Sequence, residues 1–468
     1  MSNVRDFGAV GDGVADDTMA VEHALSAGNG TLEFPRGEYK LTRTIRVDLA
    51  KHGRFALSGS GGTARLIMAG AGPVLSLLGG HEGSALPASF KPETWDRERM
   101  PTVSDVEIVG AHPEADGIHI SGVMQPTLSG VLIREVRTAV YINRRARNVL
   151  VSHCHIYMCS GIGIHLDRLN LHQTIITGSH ISYCRLGGIR IEKSEIRNLQ
   201  ITGNDIEYNN NQAHKVPDAD AVATAEIYID ATEGSIREGT IVSNTIQATY
   251  SKNGSNIRLI GQGPDQPHKV GLWIITGNLI GSQENNIHLS SARGVTISGN
   301  VIYSGHNRNL LIENSRNIAI GANCFDHNPD YEPNELCTGI RIVDSVDCTM
   351  TGVLIQDAQA GRHTVKNAPT VQHEALLELV RCRRMTLSGL QVLEGAPYGI
   401  SVEDCHDTLI TGSTVLDARE PKLMQAAIRW RGPSTGSQIG QCRIGNGSTT
   451  ALEVDPSVKV VDNRLDGA

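Results

Sequence analysis

The sequence has no long apolar run, few aromatic residues and no excess of basic charge. No stretch of about 18 consecutive apolar residues occurs in its 468 residues, so a membrane-spanning helix is not predicted. The net charge is -8, which favours neither nucleic acid nor an anionic membrane as a partner. Aromatic residues make up only 4%, whereas glycine reaches 50 residues. This composition is unlike that of helical enzymes and is typical of a chain that turns often.

Cysteine pairing motifs and an export signal are also missing. The nine cysteines include no CxxC pair and no Cys/His cluster at zinc spacing, so neither a disulfide framework nor a structural zinc is predicted. The first residues, MSNVRDFGAV, lack a charged start followed by an apolar core. The expected location therefore stays open between the cytoplasm and export with a leader absent from this sequence.

A short strand with alternating apolar and polar residues recurs about every 23 residues from residue 117 onward. The stretch IHLDR (164–168) is one example, with Ile164 and Leu166 on one face and His165 and Asp167 on the other. We call the first apolar residue of each such strand its marker residue. The predicted marker residues are Ile118, Val140, Ile164, Ile189, Ile227, Ile257, Ile287, Leu310, Ile340, Leu376, Ile400, Ile428 and Leu452.

Asparagine and cysteine residues keep the same register within the repeat. One asparagine recurs two places before an apolar residue in Asn204, Asn244, Asn278, Asn300 and Asn323. At a fixed turn of stacked strands, such residues can form a ladder of side-chain amides. The pairs Cys159 with Cys184 and Cys382 with Cys405 are interpreted as small interior stacks in preference to disulfides.

A repeat of this length with several short strands predicts one coil of a parallel β-helix. It is too short for a propeller blade, and it lacks the LxxLxL pattern of leucine-rich repeats. A stack of coils needs capped ends. The segment DDTMAVEHAL supplies a short amphipathic capping helix with Asp16 or Asp17 as its N-cap.

The segments VRDFGAVGDGVADDTMAVEHAL (4–25) and GTLEFPRGEY (30–39) resemble the opening of pectate-lyase-like right-handed β-helix proteins. That superfamily includes polygalacturonases, rhamnogalacturonases, mannuronan epimerases and phage tailspike depolymerases. The resemblance implies an all-β, single-stranded right-handed parallel β-helix, usually with a carbohydrate groove along one sheet. The NTD, DD and GHG series of polygalacturonases and the DPHE motif of epimerases are missing, so the resemblance implies the fold and not the reaction.

The chain is predicted to form a single β-helix domain over residues 1–468. The cap and first strands occupy 1–45, and regular coils occupy 117–465. Long loops are predicted at 79–101, 209–225, 261–269, 326–337 and 358–373. Several of them begin near Glu192 and Asp230, and long loops on a regular solenoid usually mark a binding side.

Two outward columns follow from the alternation, one residue and three residues after each marker. The first outward column is His119, Tyr141, His165, Arg190, Tyr228, Arg258, His288, Leu311 and Arg341. The second outward column is Ser121, Asn143, Asp167, Glu192, Asp230, Ile260, Ser290, Glu313 and Val343. A merely solvated face is polar too, but it would include lysine, which neither column contains.

The flat side chains of histidine, tyrosine and arginine can stack on sugar rings. The guanidinium of arginine also donates two parallel hydrogen bonds to a carboxylate or sulfate group. The predicted substrate-binding residues are Arg190, Tyr228, Arg258, His288, Tyr141, His119 and Arg341. The predicted catalytic residues are Asp167, Glu192, Asp230 and His165. A second polar strip, ranked lower because it fades after Gln247, contains His155 and Tyr157, His180 and Ser182, and Asp205 and Glu207.

Three functions are consistent with these columns. In the first, two carboxyl groups hydrolyse a glycosidic bond as acid and base or nucleophile. In the second, His165 or Tyr228 moves the C5 proton of a uronic acid, Arg190 or Arg258 neutralises its carboxylate, and the acidic trio can hold Ca²⁺. The third is a non-catalytic glycan-binding or tailspike-like module. The expected partner is a carbohydrate, and a homo-oligomer such as a trimer stays open.

Overall fold

The computed structural model of the chain describes residues 2–83, 86–215, 223–328, 339–356 and 373–466. These form two compact units. The first contains the described residues up to 215 together with Ala225–Thr240, and the second contains residues 223–224 and the described residues from Ile241 onward. Among the described residues, no helix has the length and apolar character needed to cross a membrane. The single domain over 1–468 stays a prediction.

Both units consist of coils with three short strands, which we name in chain order the marker, middle and closing strands. In the first unit the marker strands are Ile45–Asp48, Gly72–Leu78, Ala115–Met124, Val140–Ser152, Ile164–Thr177, Ile189–Glu192 and Ala225–Asp230. Val140–Ser152 and Ile164–Thr177 continue through the middle position, and the separate middle strands are Ser2–Asn3, Thr31–Glu33, Ala56–Ser58, Thr102–Ser104, Thr127–Ser129, Glu195–Thr202 and Ser235–Val242. The closing strands are Asp12–Asp16, Gly37–Leu41, Ala64–Met68, Glu107–Gly110, Leu132–Arg134, His155–Tyr157, His180–Ser182 and Asp205–Glu207.

The second unit repeats this arrangement. Its marker strands are Ser255–Ile260, Asn285–Ser290, Arg308–Glu313, Ile340–Val343, Ala375–Val380, Tyr398–Glu403, Ala426–Arg431 and Leu452–Val454. Its middle strands are Val270–Thr276, Ala292–Ser298, Arg316–Ile320, Val346–Thr351, Arg383–Ser388, Leu409–Thr411, Gln438–Gly440 and Lys459–Val461. Its closing strands are Thr245–Gln247, Leu279–Gly281, Val301–Tyr303, Cys324–Asp326, Leu354–Gln356, Gln391–Leu393, Thr414–Leu416, Arg443–Ile444 and Arg464–Leu465.

Each strand pairs in parallel with the strand at the same position of the next coil, as Ile164–Thr177 does with Ile189–Glu192 and with Glu195–Thr202. Parallel crossovers are right-handed in nearly all proteins. Each unit is thus a right-handed parallel β-helix, and the predicted fold class is confirmed.

The marker residues form the core, because each one stacks on the marker of the next coil. Ile118 pairs with Val140, Val140 with Ile164, and Ile164 with Ile189, and all four are at most 1% exposed. Burying a side chain of this size stabilises the fold by about 1.5–3 kcal/mol. The repeated alternation therefore supplies both the register and most of the packing.

One predicted marker is wrong by one residue. Leu377, and not Leu376, pairs with Ile340 on one side and Ile400 on the other. The whole strand Ala375–Val380 is buried on both faces, so its apolar run carries no alternation that could fix the phase.

A helix caps the first unit as predicted. It spans Thr18–Ala27, and Asp17 occupies the N-cap position without a capping side-chain bond. The Asp17 carboxylate instead accepts hydrogen bonds from the amides of Val10 and Gly11, while Asp16 Oδ1 accepts one from the Thr18 amide at 3.0 Å. Both predicted aspartates therefore stabilise this end of the chain, but in different ways. Within the described ranges a second α-helix spans Leu49–His52, and single helical turns lie at Val4–Phe7, Pro87–Ser89, Thr94–Glu98, Asn211–His214 and Pro267–Lys269.

The predicted amide ladder is confirmed in the second unit. Asn244 Nδ2 donates to Asn278 Oδ1 at 3.0 Å, Asn278 to Asn300 at 3.0 Å, and Asn300 to Asn323 at 2.9 Å. In the first unit Asn204 instead accepts a hydrogen bond from the Ser179 amide at 3.1 Å.

A second ladder was not predicted. Asn256 Nδ2 donates to Asn286 Oδ1 at 2.8 Å, and Asn286 donates to Asn309 at 2.7 Å, with all three residues fully buried. The signal was present, because each of these asparagines immediately precedes a marker residue.

The cysteines of both predicted pairs are buried free thiols. Burial raises the pKa of the Cys184 thiol well above its ordinary value, with Cys159 as a further cause. Cys405 Sγ accepts a hydrogen bond from the Cys382 amide at 3.2 Å. The interpretation as interior stacks is confirmed. Of the predicted long loops, the parts at 84–85, 216–222, 329–337 and 358–372 lie outside the described residues.

Candidate functional site

The first outward column forms a continuous strip within the first unit. His119 pairs in register with Tyr141, Tyr141 with His165, His165 with Arg190, and Arg190 with Tyr228. The rings of His119 and Tyr141 stack with centroids 5.4 Å apart, and those of Tyr141 and His165 are also 5.4 Å apart. The Arg190 guanidinium lies 4.9 Å from the centre of the Tyr228 ring. Residues spread over 110 positions of sequence therefore share one surface.

Diagonal hydrogen bonds join this column to the second outward column on the next coil. His119 Nε2 bonds to Asn143 Oδ1 at 3.0 Å, Tyr141 OH donates to Asp167 Oδ2 at 3.1 Å, and His165 Nε2 bonds to Glu192 Oε1 at 2.9 Å. These partnerships were not predicted. Each bond joins a residue of the first outward column to the residue of the second outward column on the following coil. Because this offset of one coil is constant, the pairs could have been found by aligning the two columns with that offset.

Glu192 is held as an anion by two neighbours. Its Oε2 accepts hydrogen bonds from Arg190 Nε at 3.1 Å and Arg190 Nη2 at 3.0 Å. The hydrogen bond from His165 and the charge of Arg190 lower the pKa of Glu192 to about 2, although burial acts in the opposite direction. At any ordinary pH this carboxylate accepts hydrogen bonds and orients His165.

Asp167 was expected on a solvated face, but it is buried, with 5% of its surface exposed. The prediction of its exposure is wrong because Tyr141 and Arg168 cover it. Arg168 Nη1 lies 2.5 Å from Asp167 Oδ2, and the other oxygen, Oδ1, is buried without a hydrogen-bond partner. Burial is the first cause that raises the pKa of Tyr141, whose hydroxyl therefore stays protonated at neutral pH.

Tyr228 was predicted to bind substrate and Asp230 to act as a catalytic carboxylate, but other side chains already contact both residues. Tyr228 is only 8% exposed, because the Arg190 guanidinium covers its ring. Asp230 follows Glu192 in register, but its Oδ1 accepts hydrogen bonds from Thr232 N at 2.9 Å and Thr232 Oγ1 at 2.6 Å. This is the pattern of a side-chain turn at the end of a strand.

Three residues of the site offer ligand atoms within 4.8 Å of one another, His165, Asp167 and Glu192. Ca²⁺ takes six to eight oxygen ligands, whereas this group offers one nitrogen and two carboxylates. Those carboxylates are already neutralised by Arg168 and Arg190. The donor set therefore fits calcium poorly.

The remaining predicted residues belong to the second unit and pair there in register, Arg258 with His288 and Leu311 with Arg341. His288 Nε2 bonds to Glu313 Oε2 at 2.8 Å, which repeats the diagonal His–Glu arrangement. Arg341 forms an ion pair with Glu378, which is 2% exposed and also bonds to Arg308 at 3.1 Å. Arg341 thus satisfies a buried carboxylate.

Two families match parts of the chain. Residues 1–74 match the family described as rhamnogalacturonase A/epimerase, pectate lyase-like, and residues 96–224 match the right handed beta helix region. Mannuronan C5-epimerase AlgE5 from Azotobacter vinelandii is 52% identical over 44 residues, which are 8% of this chain and 4% of the epimerase. The chain therefore matches a small part of that relative's length.

Similar solved structures include the A-module of mannuronan C-5 epimerase AlgE6 from Azotobacter vinelandii, with 14% identity, a TM-score of 0.34 and coverage of 100% of both chains. The tailspike protein gp49 from Pseudomonas phage LKA1 is 11% identical, with a TM-score of 0.46, over 98% of this chain and 84% of that chain. The two family matches, which each cover less than half of the chain, and the coils of parallel strands support the right-handed β-helix superfamily for this chain.

Proposed function

We propose that the protein is an enzyme that acts on a polysaccharide of uronic acids by moving the proton at C5 of a uronate residue. The observation that carries this proposal is the bond of 2.9 Å between His165 Nε2 and Glu192 Oε1, beside Tyr141 and Arg190. Proton abstraction next to a carboxylate requires an oriented base, a proton donor and a cation. The three groups lie on consecutive coils.

His165 serves as the base in this scheme. When its Nε2–H is donated to the ionised Glu192, Nδ1 carries the lone pair that accepts the C5 proton. The electron pair left on C5 spreads into the substrate carboxylate, and Arg190 compensates its charge. Glu192 orients the ring and stabilises the imidazolium that forms.

Tyr141 serves as the acid. In β-elimination the C4–O bond breaks, a C4–C5 double bond forms, and the departing oxygen takes the tyrosine proton. In epimerisation Tyr141 instead protonates C5 from the opposite face. His165 then releases its proton to solvent, and the tyrosinate takes one up, so the enzyme returns to its starting state.

Hydrolysis by Asp167, Glu192 and Asp230 ranks second. A glycosidase needs one carboxyl group that is protonated near the working pH. With its pKa at about 2, Glu192 cannot supply that proton, and Asp167 is paired with Arg168. These contacts favour the proton-transfer scheme over the hydrolytic one.

The relatives support the substrate class by their names. AlgE5 is a mannuronan C5-epimerase, and the family that matches residues 1–74 is described as pectate lyase-like. Because residues of the site are neutralised by arginine, we propose that the reaction proceeds without calcium. Activity should therefore persist after treatment with a chelator, and its loss together with recovery on adding Ca²⁺ would restore the calcium prediction.

The product distinguishes the three functions. The full chain is incubated in D₂O with polymannuronate, polyguluronate or polygalacturonate. Ultraviolet absorbance reports unsaturated ends, and NMR reports deuterium at C5. We expect one of these two signals from at least one polymer. New reducing ends with neither signal support hydrolysis, and glycan affinity without any product supports a binding module.

The variant His165→Ala is expected to lower the rate about 10²- to 10⁴-fold. His288→Ala is the matched control, because His288 forms the same diagonal bond to a glutamate but has Leu311 as its neighbour in the column. Because His288 lies outside the group of His165, Tyr141 and Arg190, its loss should leave kcat at the parent value, and only KM should respond to the loss of its predicted substrate contact. If His288→Ala loses the rate and His165→Ala keeps it, the catalytic assignment moves to the second unit.

A further inference from the structure

The closing strands of the first unit carry a second cluster of chemical groups, separate from the outward columns. His155 pairs in register with His180, and His180 with Asp205. The two imidazoles stack with centroids 5.1 Å apart and planes 13° apart, and His180 Nδ1 lies 3.3 Å from Asp205 Oδ2. Glu207 is on the same outward face as Asp205, two residues along the strand. We call these four residues with Tyr183 and Tyr208 the tyrosine face.

Two tyrosines stack beside this cluster. Tyr183 and Tyr208 directly follow their strands, and their rings lie 5.6 Å apart with planes 15° apart. Tyr183 is 40% exposed, so core packing does not account for its ring. Both residues have left-handed backbones, with φ of 57° and 56°, as does Met158 at the same position of the preceding coil, so this conformation belongs to the turn of the repeat and not to the two rings.

The carboxyl groups of the tyrosine face are short of positive partners. Burial and the neighbouring Asp205 raise the pKa of Glu207 to about 6, and only His180 acts in the opposite direction. Asp205 Oδ1 is buried without a hydrogen-bond partner. Arg185, two residues after Tyr183, donates to Asn211 Oδ1 at 3.1 Å, and Arg134 on an earlier closing strand is bonded to Glu107 at 2.9 Å and to Glu135. A half-buried pair of carboxyl groups with these neighbours favours a cationic ligand.

We infer that the tyrosine face binds an amine-bearing saccharide. The sugar ring would stack on Tyr183, and its ammonium and hydroxyl groups would donate to Asp205 and Glu207. Aromatic rings attract cations and pack against the apolar face of a sugar. Ionised carboxylates accept hydrogen bonds but cannot donate them. This chemistry is the opposite of the basic outward column, so the two surfaces would select saccharides of opposite charge.

The test measures binding of the full chain to a hexamer of glucosamine by calorimetry near neutral pH and at low ionic strength. The fully N-acetylated hexamer is the neutral comparison, and a hexamer of mannuronate is the acidic one. We expect the glucosamine hexamer to bind about ten-fold more tightly than the acetylated one. The mannuronate hexamer should not compete.

Two substitutions at the same exposed position locate the site. Tyr183→Ala should weaken binding of the glucosamine hexamer about ten-fold, whereas Tyr183→Phe keeps the ring and should stay within about two-fold. Glu207→Gln should weaken it about five-fold. His165→Ala is the control, since it removes the base of the outward column and should leave this affinity unchanged.

Two results would overturn the inference. The first is no measurable binding of the glucosamine hexamer, or equal binding of the acetylated hexamer. The second is an affinity that Tyr183→Ala and Glu207→Gln leave unchanged, because that would locate the ligand elsewhere. Loss of binding in Tyr183→Phe as well as in Tyr183→Ala would contradict a stacking role for the ring.

Discussion

Glu192 and Glu207 belong to the same unit and both point outward from parallel strands, yet their chemistry is opposite. The pKa of Glu192 is lowered to about 2 by His165 and Arg190, and the pKa of Glu207 is raised to about 6 by burial and Asp205. The difference comes from the residue that each coil places next to the glutamate. In a β-helix, the neighbouring side chains on the same strand, such as Arg190 and Asp205, and on the adjacent coil, such as His165, therefore decide the charge state.

The largest expected contrast between the two glutamates is in catalysis. Glu192→Gln removes the anion that orients His165 and stabilises its imidazolium, so turnover of a uronate polymer should fall about 10²-fold or more. Glu207→Gln should stay within about two-fold of the parent rate. Initial rates measured side by side check this. Equal losses in both variants would contradict the separation of the two surfaces.

Stability should respond to the same substitution at Glu192. A folded pKa of about 2 against 4.5 in the unfolded chain stabilises the fold above pH 4.5, and this contribution is lost as pH falls toward 2. Glu192→Gln should thus lower the free energy of unfolding by about 2–3 kcal/mol at neutral pH. Urea titrations at several pH values measure the difference in the free energy of unfolding between the variant and the parent. If the same difference remains near pH 2, the ionised state of Glu192 is not its cause.

A smaller effect is expected at Arg190. Arg190→Lys keeps the positive charge but loses the fork that holds Glu192 and the flat contact with Tyr228. We expect a rise in KM for acidic substrate of about ten-fold, with a smaller change in kcat. Binding of the glucosamine hexamer to the tyrosine face should not change. A loss confined to kcat would instead assign Arg190 to orienting the base.

The smallest effect is a gain in stability. Because the pKa of Glu207 is higher in the folded chain than its ordinary value of 4.5, folding is favoured below pH 4.5 and loses that advantage as pH rises through about 6. Glu207→Gln should stabilise the protein by about 1 kcal/mol above pH 6 and should have little effect below pH 4.5. Thermal melts at the two pH values distinguish this from a general effect of the amide.

Most of the fold could be predicted from the sequence, because a period-2 alternation on a repeat of about 23 residues specifies both the strands and their register. The marker stack and the asparagine ladder follow from that spacing. The predicted marker residue Leu376 was wrong, because Leu377 pairs with the markers of the neighbouring coils. Apolar residues occupy both faces of this strand. Alternation carries no information in such a segment.

The site could be predicted only as a set of columns. Register placed His165, Arg190 and Tyr228 together, but the degree to which one side chain covers another depends on rotamers and neighbours. The burial of Asp167 beneath Tyr141 and Arg168 is of this kind. The diagonal His–Glu bonds could have been predicted from the sequence, because in both units each joins a histidine of the first outward column to a glutamate of the second outward column on the following coil.

The asparagine ladder of the second unit has a direction, since the amides of Asn278 and Asn300 each donate to the next coil and accept from the previous one. A duplicated turn inserted between Asn278 and Asn300 would find a donor on one side and an acceptor on the other. The protein can therefore lengthen by whole turns during evolution, or by design, without rebuilding its interior.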